Sequence, residues 1–333
     1  MPRPLKIALV GLALIVVFAV GWVRLPYYAL GPGPARDVPP LISFDGPDRY
    51  DTSGHLIMTT VSWYQVTPLQ ALATWLRPDW KLVSERVLYP PGTTQEQEHR
   101  RAISDMDESK IDAAYVVLSR LTHYPKDRGK GVLIESTYPG CPADGMLFPG
   151  DVVSSIDETR VGSRRQASRA IDGSAQGEPI EFTVSAAGQT HRVELTRRPC
   201  VRNDPEPHVG IDMVDAFPFP ITIQSGDIGG PSAGLMYALG LYELMTPGDL
   251  TAGRIVAGTG TIDLDGNVGP IGGIDDKVVA ARESGASMFL APADNMDELE
   301  GVDTGDMQVI SISSFDDALT ALGQSPAAAE PTP

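Results

Sequence analysis

Seventeen consecutive residues, Ile7 to Val23, carry no charge and are almost wholly apolar. As a helix the run would cover roughly 25 Å at about 1.5 Å per residue, the short end of a membrane span. Such a segment cannot share a water-facing fold with the rest of the chain, so it divides the molecule into a part in lipid and a part outside it. Arg3 and Lys6 precede the run, and Trp22, Tyr27 and Tyr28 stand at its far end, where an interfacial aromatic belt would lie. The expectation is an anchor over residues 1–26, with its N-terminus in the cytoplasm and the body on the extracytoplasmic side. A cleaved signal peptide is the competing reading, although no clean small-x-small site precedes the tyrosine pair. Both readings export the body. No second run of this kind follows, so the expected protein is single-pass in the cell membrane.

The remaining length suggests about two globular domains in a chain of 333 residues. Apolar residues make up 42%, enough to bury a sizeable core. Twenty-six Lys and Arg stand against 43 Asp and Glu, a net charge of −17 with no local basic patch, which excludes general nucleic-acid binding. The two cysteines, Cys141 and Cys200, exclude a zinc cluster and a multi-disulfide scaffold. Export permits a bond between them, worth about 4 kcal/mol by loop entropy; two buried thiols are the alternative.

Residues 27–66 read as a Gly/Pro-rich stalk (GPGPARDVPP, 31–40) followed by a strand within His55 to Trp63. Residues 67–126 read as a helical connector, with pieces at Leu69–Leu76 and Glu96–Leu121. A block of short strands spans 127–200. A proline-containing linker from Pro199 to Pro207 leads into a Gly-rich α/β region, 201–323. The tail 324–333 is low in complexity and expected to be disordered.

Within the 127–200 block, Gly131-Val132-Leu133-Ile134-Glu135 reads as a strand. Pro139-Gly140-Cys141-Pro142-Ala143, then Gly145, Leu147 and Gly150-Asp151-Val152-Val153, follow it. Arg164–Asp172 reads as a helix, with closing strands at Ile180–Val184 and His191–Thr196. The block resembles a PDZ domain, a fold that adds an extended peptide to a sheet edge. By position the resemblance places peptide binding at Gly131, Val132, Leu133 and Ile134. Lys130 and Cys141 depart from the usual pattern. A small β-domain acting only as a spacer is the alternative.

Two motifs in the last 120 or so residues carry chemistry. Gly229-Gly230-Pro231-Ser232-Ala233-Gly234 leads into an apolar helix, Ala233 to Met245, with Pro231 suited to its first turn. A serine there lies near outward-pointing backbone N–H groups, though by itself it reads most simply as a helix cap. Pro270-Ile271-Gly272-Gly273-Ile274-Asp275-Asp276-Lys277 starts a second helix at Asp275 or Asp276, ending near Gly285. Lys277 then faces the positive end of the helix dipole, which disfavours its charged form and suits a neutral base. It is the only lysine after Lys130.

In order and 45 residues apart, Ser232 and Lys277 resemble the Ser–Lys dyad of Lon-type serine peptidases over about 208–322. The resemblance takes in Thr259 to Val268 and Phe289-Leu290-Ala291-Pro292. It implies Ser232 as nucleophile, Lys277 as general base and Thr259 close to both. It also implies an α/β (α+β) proteolytic domain with the PDZ domain inserted into it, no cofactor and no metal, and a homo-oligomer. His55–Trp63 is then an early strand of the catalytic domain. Asp265-Gly266 fits a hairpin turn. A calcium site at Asp263, Asp265 and Asn267 fails, because Val268 stands where glycine is needed. ATP-driven family members carry Asp two residues before the proline, where this chain has Gly229, and a Walker A loop that this sequence lacks. The expected function is ATP-independent endoproteolysis of exported proteins that are unfolded or present a free C-terminus to the PDZ domain. A peptide-binding scaffold with an inactive or self-processing dyad is the alternative.

Overall fold

The computed structural model describes residues 21–89, 92–175, 177–186, 188–201 and 203–324. Residues 7–20 of the apolar run and 325–333 of the tail lie outside them. Among the described residues no helix is long and apolar enough to cross a membrane.

A five-stranded sheet organises the body of the fold. Its order is Arg36–Asp37, His55–Met58, Ile255–Gly258, Met288–Pro292, Gln308–Ile312, all parallel except the first. The α-helices are α1 (Pro68–Trp75), α2 (Glu85–Leu88), α3 (Gln95–Leu121), α4 (Arg164–Gly173), α5 (Gly234–Met245), α6 (Ile274–Glu283) and α7 (Phe315–Ala321). Strand side chains alternate between faces. Leu56, Met58, Val256, Met288 and Leu290 point to a core shared with α3, α5 and α7. Ile57, Ala257, Phe289 and Ala291 point to a second core under α6. The result is a mixed α/β body with helices on both faces of the sheet.

Helix α5 is apolar apart from the buried Glu243, and it is buried from Gly234 to Leu244, which suits a helix enclosed by protein. Helix α3 starts at a reciprocal cap between Thr94 and Gln97. It lays Met106, Ala113, Val116 and Val117 against α5. The 31–40 segment is no stalk: Val38 and Pro39 are buried, and a Cβ added at Gly240 of α5 would lie 2.6 Å from Val38. Its prolines support a short 3-10 turn, Pro39–Leu41, in place of a solvated spacer. Tyr27–Pro32, Val61–Gln65 and Lys81–Ser84 form a separate antiparallel sheet that packs beside α6.

Between α3 and α5 the chain builds a lobe of its own. Its sheet runs Gln189–Thr196, Pro179–Ala186, Val152–Ile156, Val132–Thr137, Ile211–Asp215, with α4 alongside. Phe182, Ile134, Leu147 and Ile156 fill its core. The boundary drawn at residue 200 therefore cuts this lobe, because strand Ile211–Asp215 pairs antiparallel with Val132–Thr137. Met213 joins the lobe core, while Val214 turns to Ile111 of α3. This strand is the seam between lobe and body. Cys141 and Cys200 are joined by a disulfide across 59 residues of sequence. A loop of that length contributes about 4 kcal/mol by restricting the unfolded chain. The Cys141→Ser/Cys200→Ser double variant should lose about that much lobe stability in urea unfolding followed by circular dichroism; an unchanged midpoint contradicts this.

Candidate active site and peptide cleft

The loop from Gly229 to Ala233 is not helical; α5 begins only at Gly234, so Pro231 lies before the first turn. Helix α3 holds the loop from outside. The Gly230 N–H donates to the Ala102 carbonyl at 2.6 Å, and the Ser109 hydroxyl donates to the Pro231 carbonyl at 2.9 Å. A Cβ added at Gly229 would lie 2.8 Å from the Ala102 Cβ, so an aspartate at this place has no room. From the other side, the Gly260 N–H and the Thr259 hydroxyl both donate to the Ser232 carbonyl, at 2.8 and 2.9 Å. The Ser232 main chain is thus fixed by two donors. Its hydroxyl caps nothing: Ala233 takes the N-cap position without a side-chain bond. The simple capping role does not describe this serine.

Helix α6 starts behind Gly273, whose φ of +68° places it in the left-handed region open to glycine. Lys277 lies in the first turn, its N–H donating to the Gly273 carbonyl. Its Nζ donates to Ser232 Oγ at 2.7 Å and to Thr259 Oγ1 at 2.9 Å. The structure thereby brings Ser232, Thr259 and Lys277 into one hydrogen-bonded group. Lys277 is 3% exposed, and no carboxylate stands among its bonded partners. Burial pushes its pKa down to about 7. The neighbouring acids are directed elsewhere: Asp275 pairs with Lys81, and burial raises the carboxyl of Asp276. After Thr259 the chain turns through 263–267, where the Asp263 carboxylate accepts from the N–H groups of Asp265 and Asn267. That carboxylate serves the turn.

A cleft of about 390 Å³ opens onto Ser232 and Lys277. The N-terminal half supplies much of its wall, through Met58, Thr59, Thr60, Trp63 and Met106. Sequence reasoning missed Thr59 altogether. Its hydroxyl is buried with no hydrogen-bond partner among the described residues, so it can serve a bound chain. Its only signal was a place in the expected early strand.

The residues assigned to peptide binding occupy the wrong strand. Val132, Leu133 and Ile134 lie in an interior strand, hydrogen-bonded to Val152–Ile156 on one side and Ile211–Asp215 on the other. Val132 and Ile134 are fully buried. At Gly131 an added Cβ would meet the Val153 carbonyl at 2.6 Å. No peptide can add to an edge that the chain has already filled. The outer strand on this side of the sheet is Ile211–Asp215, and Gln189–Thr196 forms the opposite edge. A cleft of about 140 Å³ separates it from α4, lined by Ser168, Ile171, Arg197, Gly210, Ile211 and Met213. The signal was the alternation Ile211/Met213 after Gly210, which the assignment of 201–323 to the α/β region passed over.

Residues 213–323 match the model of the Lon protease (S16) C-terminal proteolytic domain. The Lon protease of Rickettsia typhi is 32% identical over 185 residues, covering 53% of this chain and 23% of that protein. That of Citrifermentans bemidjiense is 41% identical over 98 residues, covering 28% and 12%. The chain thus spans about a quarter or less of the length of these curated relatives. Among solved structures, the PDZ domain of the SdrC-like protein from Listeria innocua is 20% identical, covering 25% of this chain and 93% of that one, with a TM-score of 0.23. The corresponding domain from Listeria monocytogenes is 20% identical, covering 26% and 90%, with a TM-score of 0.24. Scores this low carry no argument, and the lobe is described by its own strand order. The chain carries a Lon-type proteolytic domain, and that domain holds Ser232, Thr259 and Lys277.

A base with a pKa near 7 has a pH signature. Peptide hydrolysis should rise as Lys277 loses its proton through about pH 7 and then level off, whereas a lysine in water would give a limb near 10.4. Stability carries the matching sign. The unfolded chain binds the extra proton between about pH 7 and 10.4, so folding stability should increase with pH across that window. Lys277→Arg, which stays charged, should abolish turnover at every pH. A pH–rate profile with its limb near 10 contradicts the assignment.

Proposed function

We propose that the chain is an ATP-independent serine endopeptidase, anchored in the cell membrane by its N-terminal apolar run and acting on the extracytoplasmic side. The observation that carries the catalytic part is the 2.7 Å contact between a buried Lys277 Nζ and Ser232 Oγ. In its neutral form Lys277 accepts the Ser232 proton as Oγ attacks a substrate carbonyl. The tetrahedral adduct collapses with cleavage of the C–N bond, and the ammonium returns its proton to the departing amine. Lys277 then takes a proton from water as it attacks the acyl ester; the ester C–O bond breaks, the carboxylic product leaves, and the ammonium returns its proton to Ser232 Oγ. Thr259 holds both partners, through Nζ and through the Ser232 carbonyl. Backbone N–H groups beside Ser232 are suited to the oxyanion.

The lobe selects substrate in this reading. An extended peptide adds to the outer edge of Ile211–Asp215, with side chains entering the cleft against α4. Export is supported by the apolar run and by the Cys141–Cys200 disulfide, which suits an oxidising compartment. ATP independence is part of the proposal and rests on Gly229 standing where the ATP-driven members of the family carry aspartate.

Full-length protein in detergent should degrade unfolded casein without nucleotide, and Ser232→Ala should lose at least about a thousandfold in rate while keeping the parent's melting temperature. Absence of turnover in the parent favours the scaffold reading. Ser168→Trp, which fills the lobe cleft, should raise KM for protein substrates and leave short-peptide hydrolysis unchanged. Equal loss on both substrates would place the lobe in the catalytic fold instead.

A further inference from the structure

The layer formed by the 27–32, 61–65 and 81–84 strands and α1 carries its apolar side outward. In α1, Thr74 is buried and Ala71 half-buried, both against the sheet. Leu69, Leu72, Trp75 and Leu76 face away, exposed by 56–74%. A short surface helix ordinarily turns its leucines to the core. Here the polarity is inverted, and the spacing of Leu69, Leu72 and Leu76 puts them on one stripe. Leu82, on the strand packed beside α1, and Val87, on the short helix that follows that strand, add exposed apolar surface. All four tryptophans of the chain, Trp22, Trp63, Trp75 and Trp80, fall within residues 22–80.

The place where the apolar run ends says what this face meets. The run stops at Val23, and the Arg24 side chain then donates to the Gln65 carbonyl. The Leu25 N–H donates to the Val66 carbonyl, and the Val66 N–H to the Tyr27 carbonyl. Val66 directly precedes Thr67, the N-cap of α1. The exit from the run is therefore bonded to the start of the inverted helix. The local charge is near balance: residues 61–88 hold Arg77, Lys81 and Arg86 against Asp79 and Glu85, with Lys81 paired to Asp275, in a chain of net charge −17. Arg77 sits over the Trp80 ring at 5.9 Å. Exposed leucines, tryptophans and arginines together are what an interfacial helix offers to lipid.

We infer that α1 and its flanking sheet lie on the bilayer, with the Leu69–Leu72–Trp75–Leu76 stripe dipping into the interfacial region as a second membrane contact beside the anchor. The inference rests on the anchor proposed above. Trp63, in the same sheet, lines the cleft that holds Ser232 and Lys277. Docking in this way holds that cleft next to the lipid surface, where freshly exported or membrane-bound chains are found.

The test uses the full-length chain with Trp22→Phe, Trp63→Phe and Trp80→Phe, leaving Trp75 as the only reporter. It is reconstituted into phosphatidylcholine vesicles with plain or brominated acyl chains, with and without added phosphatidylglycerol. The expected result is a blue-shifted Trp75 emission, mostly lost in brominated lipid and shielded from aqueous iodide. A protein that floats with the vesicles while Trp75 stays open to iodide and unaffected by bromine overturns the docking and leaves the anchor standing. Failure to float overturns the anchor itself. Shielding from iodide without bromine quenching, growing with protein density, assigns the face to a second copy of the chain and also overturns the inference. If the triple variant does not fold, Trp75→Phe in the otherwise native chain gives the answer by difference: quenching by brominated lipid should fall when Trp75 is removed, and unchanged quenching overturns the docking.

Discussion

The chemistry proposed for this protein depends on removing one ammonium group from water. Lys277 is 3% exposed, and what surrounds its Nζ is a pair of hydroxyls, with no carboxylate to hold the charge. An unpaired buried cation is costly, and the cost is relieved by giving up the proton. The position at the positive end of α6 works in the same direction. A lysine that gives up its proton around pH 7, well below the usual range, is therefore a consequence of burial, and the surrounding architecture maintains that burial.

The architecture does so by bringing distant parts of the chain together. The loop before Ser232 is held from α3, through the Ala102 carbonyl and the Ser109 hydroxyl, and from the opposite side by Thr259 and Gly260. Strand His55–Met58 pairs with Ile255–Gly258 across roughly 200 residues of sequence and brings Thr59 to the cleft. The 213–323 segment that matches the Lon-type domain therefore lacks one wall of its own site, and that wall comes from residues 55–63 and from α3.

The lobe shows how one strand can change an assignment. Val132–Thr137 reads well as a strand, and it is one, yet the chain returns at Ile211–Asp215 to cover its free side. With Met213 in the lobe core and Val214 against α3, that returning strand both closes the sheet and joins lobe to body. The open edge is thereby moved from the first strand of the block to its last. The stalk reading of 31–40 failed for a related reason. Gly and Pro mark breaks in regular structure, but whether such a segment is solvated or packed depends on what lies beside it, and here Val38 meets Gly240.

Local chemistry was legible in the residues themselves. The Gly-rich entry to α5, the acidic start of α6, the long α3 and the strands of the lobe all follow from periodicity, caps and turn residues within a few positions of one another. The pairing of Ser232 with Lys277 came from the resemblance of their two motifs, in order and spacing, to the Lon-type dyad, since either motif alone reads as a cap or a surface lysine. Tertiary structure alone decided which sheet edge stays open, that the 31–40 segment is core, that Thr59 faces the cleft, and that α1 turns its leucines outward. Each of these depends on contacts between segments far apart in sequence, and neither hydrophobic pattern nor turn chemistry says which surface another segment will cover.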